Sequence, residues 1–269
     1  MQNERVLASM KYGDSTVEII EIPHLKGSRD AITAQNVFFF KEAGASVKFV
    51  RVTLNEGVLR TESGAFYFSK GNIRNDVPIG GVGGIVAKNI KSKLTNETAF
   101  NPTYSGTGIV ELEPSTGHYA MIPLNNETLI VDKGMYYCSV GNIDTSVAMQ
   151  NTISSAMLGG DGFFQTKVTG TGIVVFDIPV PMEEIEVFHL NNETVQVDGN
   201  FAILRSASLN FTVERSSRTI VGSVVNGEGM LNKYSGTGMI WLAPTTLIYP
   251  KIARGRFSSI APGHMNNRQ

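Results

Sequence analysis

TYSGTGIVELEP, residues 103–114, returns almost unchanged as KYSGTGMIWLAP at 233–244, with KVTGTGIVVFDIP between them at 167–179. The Gly-Thr-Gly runs start at Gly106, Gly170 and Gly236, in steps of 64 and 66 residues. A second element recurs with them: LNNETLIVD from Leu124, LNNETVQVD from Leu190 and the looser LNEGVLRTE from Leu54. GAFYFSKGNI at 64–73 also lies without gaps on GMYYCSVGNI at 134–143. The sequence reads as three copies of one unit of about 65–70 residues, together making one domain over 1–269.

Comparing the copies sorts the faces of their strands. Val110, Val174 and Ile240 correspond, as do Leu112, Phe176 and Leu242, two residues further on. Apolar residues two apart share one face of a strand, so these six form an inward face. Glu111, Val175 and Trp241 lie between them without common chemistry, which predicts a less constrained outer face. In the second element Leu59, Leu129 and Val195, then Thr61, Val131 and Val197, repeat inward, while Arg60, Ile130 and Gln196 vary. If Val175, Trp241 and Ile130 do face outward, they expose apolar area that favours assembly into a homo-oligomer.

The glycines Gly106, Gly108, Gly170, Gly172, Gly236 and Gly238 suit a bulge, a tight corner or a close backbone approach at a strand start. No Lys-Ser or Lys-Thr follows them, and the next element is a strand, so a phosphate-cradling loop lacks its helix N-terminus. Each copy also carries an insertion before its GTG. GGVGGIVAKNIKSKL spaces Val86, Ile90 and Leu94 as one face of a short helix, and TSVAMQNTISSAML does so with Met149, Ile153, Ala156 and Met157. The architecture expected is all-β and mostly antiparallel, with short helical insertions. The last GTG strand has no LNNET element after it. Closure of a pseudo-threefold unit therefore predicts that strands around VEIIEI and SVKFVRVTL complete the third copy and leave no sheet edge open.

Composition narrows the function classes. A net charge of −1 over 269 residues lacks the basic excess of a nucleic-acid surface. The basic stretches at 87–93 and 253–256 read as solvated faces. One cysteine, Cys138, allows no intrachain disulfide and fits a reducing, cytoplasmic setting. The N-terminus has no apolar signal core, and no stretch approaches the length of a membrane span.

The stretches GGDGFFQTKVTGTGIVVFDIP at 159–179 and NGEGMLNKYSGTGMIWLAP at 226–244, with GGVGG at 80–84, resemble the "altered inheritance of mitochondria" protein twenty-four family over residues 15–250 or so. The first copy departs from that pattern, with NETAF at 96–100, and the third lacks a clear helix. The resemblance implies a pseudo-threefold fold, a β-sandwich or double-stranded β-helix-like arrangement of the tryptophan-attenuation-protein-like kind. It implies no assigned reaction for bacterial members and, for the fungal member, a link to the mitochondrial inner membrane. It supplies no catalytic residue, and fold analogy gives no licence for RNA or tryptophan binding.

Little chemistry assembles from the residues themselves. His24, His118, His189 and His264 are scattered and fall at different places in their copies, unlike the ligands of a metal site. Glu62, Asp132 and Asp198 end the second strand before Ser-Gly, Lys-Gly and Gly-Asn, as turn carboxylates accepting local N–H groups do. Glu97, Asp161 and Glu228 lie eight or nine residues before each GTG and would form a ring around a threefold axis, able to hold a hard cation if it converges. No nucleophile turn of the G-x-S-x-G kind is present to activate Ser139. Cys138 corresponds to Phe68 and Leu204, so it belongs to the core. The sequence therefore predicts a non-catalytic β protein without cofactor or metal, working as a homo-oligomer or as a scaffold for a protein partner. A small-molecule- or cation-binding domain is the alternative. Peripheral membrane association is suggested only by the fungal relative.

Overall fold

A computed structural model describes residues 3–76, 101–149, 164–215 and 230–253. An N-terminal hairpin, β1 (Arg5–Tyr12) and β2 (Ser15–Ile22), is followed by helix α1 (Ala31–Glu42). The first copy contributes β3 (Val47–Thr61), β4 (Phe66–Asp76) and β5 (Thr103–Leu112). The second contributes β6 (His118–Asp132), β7 (Tyr136–Met149) and β8 (Phe164–Ile178). After a 3-10 turn at Met182–Glu184, the third contributes β9 (Glu186–Asp198), β10 (Ala202–Ser206), β11 (Asn210–Arg215) and β12 (Met230–Leu242). A short helix, α2 (Ile248–Ala253), ends the described chain. The twelve strands join in one sheet whose described pairings are all antiparallel.

In each copy the GTG strand lies between two partners: β5 between β3 and β4, β8 between β6 and β7, and β12 between β9 and β10–β11. The long first strand bulges opposite the GTG threonine, at Leu54/Gly57, at Asn125/Glu127 and beside Leu190–Glu193. Glu56, Asn126 and Asn192 sit in these bulges at φ of 51°, 56° and 57°, a left-handed conformation that asparagine tolerates better than most residues. The freed amides donate to the threonine hydroxyls: Glu56 N to Thr107 at 3.2 Å, Asn126 N to Thr171 at 2.9 Å, and Asn192 N to Thr237 at 3.0 Å. The glycines on either side let the neighbouring strand cross very close. A Cβ on Gly170 would stand 2.0 Å from the Asn142 carbonyl oxygen, and one on Gly106 would stand 2.1 Å from that of Asn72.

The third copy is built differently at this crossing. Gly71 and Gly141, at φ of 114° and 108°, face Gly108 and Gly172 across the sheet. The residue aligned with them in the third copy is Ala207, whose Cβ disfavours that conformation. The strand breaks there into β10 and β11. Ser208 Oγ donates to Thr237 O at 2.8 Å and Ser206 Oγ accepts from Met239 N at 2.9 Å, replacing lost ladder bonds.

Three expectations need correction. Glu111, Val175 and Trp241 are buried, at 5%, 0% and 5% exposure, and so is Ile130. The reason is that β8 and β12 are packed on both sides: Val174 and Phe176 enter one apolar cluster, while Val175 enters its neighbour. VEIIEI and SVKFVRVTL, in β2 and the start of β3, build the first copy rather than completing the third, because they pair with each other from Thr16↔Thr53 to Ile22↔Val47 and β3 goes on to pair with β5. β4 and β9 keep an open edge among the described strands. Thr145–Met149, placed at the start of a helix by the sequence, ends strand β7, while the rest of that helix and the one at 80–94 lie outside the described residues. Helix α1 was not anticipated. Its signals are Asp30, whose carboxylate accepts from Thr33 N at 2.9 Å, and Gly44 at φ 71° beyond its end.

The glycine geometry predicts unequal costs for one substitution. Gly170→Ala collides with the Asn142 carbonyl and should cost roughly 3 kcal/mol, whereas a Cβ on Gly236 meets nothing nearer than 3.7 Å, so Gly236→Ala should cost about 1 kcal/mol from its φ alone. Urea denaturation of the two variants measures the difference.

Candidate functional site: the junctions between copies

The copies are joined by short strand pairings that use equivalent residues. Leu59, Arg60 and Thr61 of β3 pair with Val140, Ser139 and Cys138 of β7. Leu129, Ile130 and Val131 of β6 pair with Ser206, Arg205 and Leu204 of β10. By the same alignment the third pairing would join Val195, Gln196 and Val197 of β9 to Lys70, Ser69 and Phe68 of β4. It is not made: among the described strands β4 pairs only with β5, and β9 only with β12.

Burial follows pairing. Tyr136, Tyr137 and Cys138 of β7 are 7%, 7% and 0% exposed, whereas their counterparts Phe66, Tyr67 and Phe68 of β4 are 37%, 55% and 37% exposed. Val187 and Phe188 of β9 are also exposed. Phe66 stacks on Tyr104 at 5.0 Å, and Tyr67 meets Phe68 edge-on at 5.3 Å. The GTG-strand face behind Phe68 is polar in this copy, because Glu111 pairs with Arg51 at 2.5 Å and Arg51 reaches Glu4 at 3.0 Å.

The junction between the second and third copies holds a groove of about 840 Å³, walled by Ile122, Leu124, Leu190 and Met239 and edged by Glu127 and Thr237. The equivalent place between the first and second copies is filled by the tip of the N-terminal hairpin. A Cβ on Gly57 would strike Ser15 Oγ at 2.3 Å, and one on Gly141 would meet Tyr12 at 2.8 Å. The residues aligned with these glycines at the open groove are Glu127 and Ala207. Thus LNEGV departs from LNNET where the hairpin needs room.

The proposed acidic ring, Glu97, Asp161 and Glu228, lies outside the described residues, as does His264. His189 edges the groove just described, while His118 lines a separate cavity of about 450 Å³ with Trp241 and residues of β1. Burial, with Lys48 adding to it, holds the His118 pKa below its usual value against the pull of Glu184 and Glu183. Among the described residues no group of three or more His, Cys, Asp or Glu could hold a metal ion. Cys138 is buried and burial pushes its thiol pKa up, away from nucleophilic reactivity. Ser139 shares a 2.8 Å hydrogen bond with the hydroxyl of buried Tyr136. At the strand-end turns, backbone carbonyls do part of the work expected of carboxylates: Met135 N donates to Asp132 O at 3.3 Å. The Asp132 carboxylate instead accepts from Gln165 Nε2 at 3.1 Å.

The family model for mitochondrial biogenesis AIM24 matches residues 40–245, more than half of the chain. The chain belongs to the AIM24 family. A crystal structure of a Streptococcus pyogenes protein is similar at 18% identity and a TM-score of 0.56, covering 79% of this chain and 94% of that one. At that identity the likeness speaks for the fold alone. No curated protein matches. Among the described residues no helix of this AIM24 member is long and apolar enough to cross a membrane.

Burial raises the Asp132 pKa from 3.8 to about 6, and the Gln165 hydrogen bond only partly opposes it. A carboxyl whose folded pKa is raised contributes stability that is full below its unfolded value and is lost as pH rises through about 6. Asp132→Asn keeps an acceptor for Gln165 and removes that loss. The variant should gain on the native protein between pH 4 and 7, by about 2 kcal/mol at the upper end, in denaturation curves across that range.

Proposed function

We propose that this AIM24-family chain is a non-catalytic association protein that acts as an oligomeric scaffold. The observation that supports this is the exposed aromatic run Phe66–Tyr67–Phe68, on a strand whose counterpart in the next copy is buried. Edge strands of soluble proteins are commonly blunted by charge, proline or a covering element, and a bare aromatic edge in water favours association. Helix α1 adds Ile32, Phe38 and Phe39, all more than half exposed, to the apolar surface on offer. The unpaired, buried thiol of Cys138 fits a reducing compartment.

One observation favours a second reading, a small-molecule site. The groove between the second and third copies falls within the size range of ligand pockets and has apolar walls with a few polar groups at its edge. A stoichiometric extra mass on the protein in native mass spectrometry, lost in Leu190→Trp, supports that reading; a clean protein mass counts against it.

Assembly is tested by light scattering and native mass spectrometry over a concentration series. The native chain should form oligomers at micromolar concentration, and Tyr67→Lys should weaken them about tenfold or more, the effect expected for an interface aromatic. A native chain that stays monomeric up to about 1 mM, far weaker than specific interfaces bind, contradicts the scaffold reading.

A further inference from the structure

We propose that the open edges of β4 and β9 are each other's partners in a second copy of this chain, in the register Phe68↔Val197, Ser69↔Gln196 and Lys70↔Val195. This rests on the association reading above and names its surface. The chain supplies the template twice. Arg60 meets Ser139 and Ile130 meets Arg205 at the two junctions that are made, and the residues aligned with these at the third are Gln196 and Ser69. Where the pairing exists its side chains are buried: Thr61, Cys138, Val131 and Leu204 are all at 0–1% exposure. Val197 is already covered within its own copy, at 6%, while Phe68 stands at 37% exposure, with no strand beside its outer edge among those described.

Charge chooses the same pairing. β4 carries Lys70 and Arg74 against Asp76, whereas β9 carries Glu186, Glu193 and Asp198 and no lysine or arginine. Continued by two residues, the register sets Glu193 opposite Asn72, diagonally between Lys70 and Arg74 on one face. A β4–β4 or β9–β9 contact would bring like charges together; β9 against β4 does not. The contact is head to tail, so it closes into a ring of chains or continues as a filament, according to the rotation per copy. It should also weaken as salt screens the flanking charges.

Cysteine pairing tests the register. Ser69 and Gln196 are exposed, and directly opposed residues of antiparallel strands lie close enough for a disulfide. The native thiol of Cys138 is fully buried and does not compete. Ser69→Cys and Gln196→Cys chains are mixed, oxidised mildly and read on non-reducing gels and by intact mass. The proposal expects a mixed disulfide dimer that forms about tenfold faster than with Thr194→Cys in place of Gln196→Cys, and more slowly in high salt. Equal rates for the two partners overturn the register. A crosslink that forms only inside a Ser69→Cys/Gln196→Cys double variant, as a monomer, shows that the edges close within one chain and overturns the second copy. Oligomers that never crosslink here overturn this surface yet leave the scaffold reading standing. A chain that is monomeric and never crosslinks removes both.

Discussion

Each copy depends on one crossing, where a bulged strand, a GTG strand and a third strand meet at a single level. The bulge turns an amide out of the ladder and the central threonine accepts it, while the glycines remove the Cβ atoms that would keep the third strand away. The two parts need each other. Without the threonine the bulge amide, at an exposed position, loses its partner within the chain, and without Gly106 and Gly170 the third strand cannot come so close. This explains why the two elements travel together through all three copies, though they lie about 45 residues apart in the chain in the pairs Asn126–Thr171 and Asn192–Thr237.

On that shared frame the copies differ where their neighbours differ. Gly57 stands where the other copies have Glu127 and Glu193, because the N-terminal hairpin lies against it. Ala207 stands where they have glycine, and the strand breaks and is restitched by Ser206 and Ser208. Val175 and Trp241 fill the interior between adjacent copies, while Glu111, with no such neighbour, is matched by Arg51. Among the described strands the middle copy has a neighbour on each side, and its GTG strand packs apolar residues on both faces, as β12 of the third copy does with Ile240 and Trp241. The ends of the row carry the exposed side chains.

The period-two faces of Val110, Val174 and Ile240 were legible in the sequence because burial on that side is common to all copies, as all three are fully buried. The second face was not legible, since its occupants answer to different neighbours and so look unconstrained when the copies are compared. Strand pairing leaves no local mark either, so VEIIEI and SVKFVRVTL suit closure of the third copy as well as the pairing with each other that β2 and β3 make. Helix α1 was missed for another reason: its apolar residues surround it instead of forming one stripe, and none is buried. The buried, high-pKa state of Asp132 depends on packing that no spacing rule reports. As for the site, the repeat alignment shows Leu59, Leu129 and Val195 to be equivalent, but which of them find a partner strand in a neighbouring copy, and that β4 and β9 stay apart, is set only in three dimensions.

In the proposed assembly two junctions are satisfied within the chain and the third by another copy. Amide hydrogen exchange followed from dilute to concentrated protein measures this directly, because protection reports local opening strand by strand. β7 and β10 should be protected at every concentration, while β4 and β9 should exchange fast when dilute and become protected together as concentration rises. Protection of β4 and β9 equal to that of β7 in the dilute sample would contradict this assembly and show the third junction closed within a single chain.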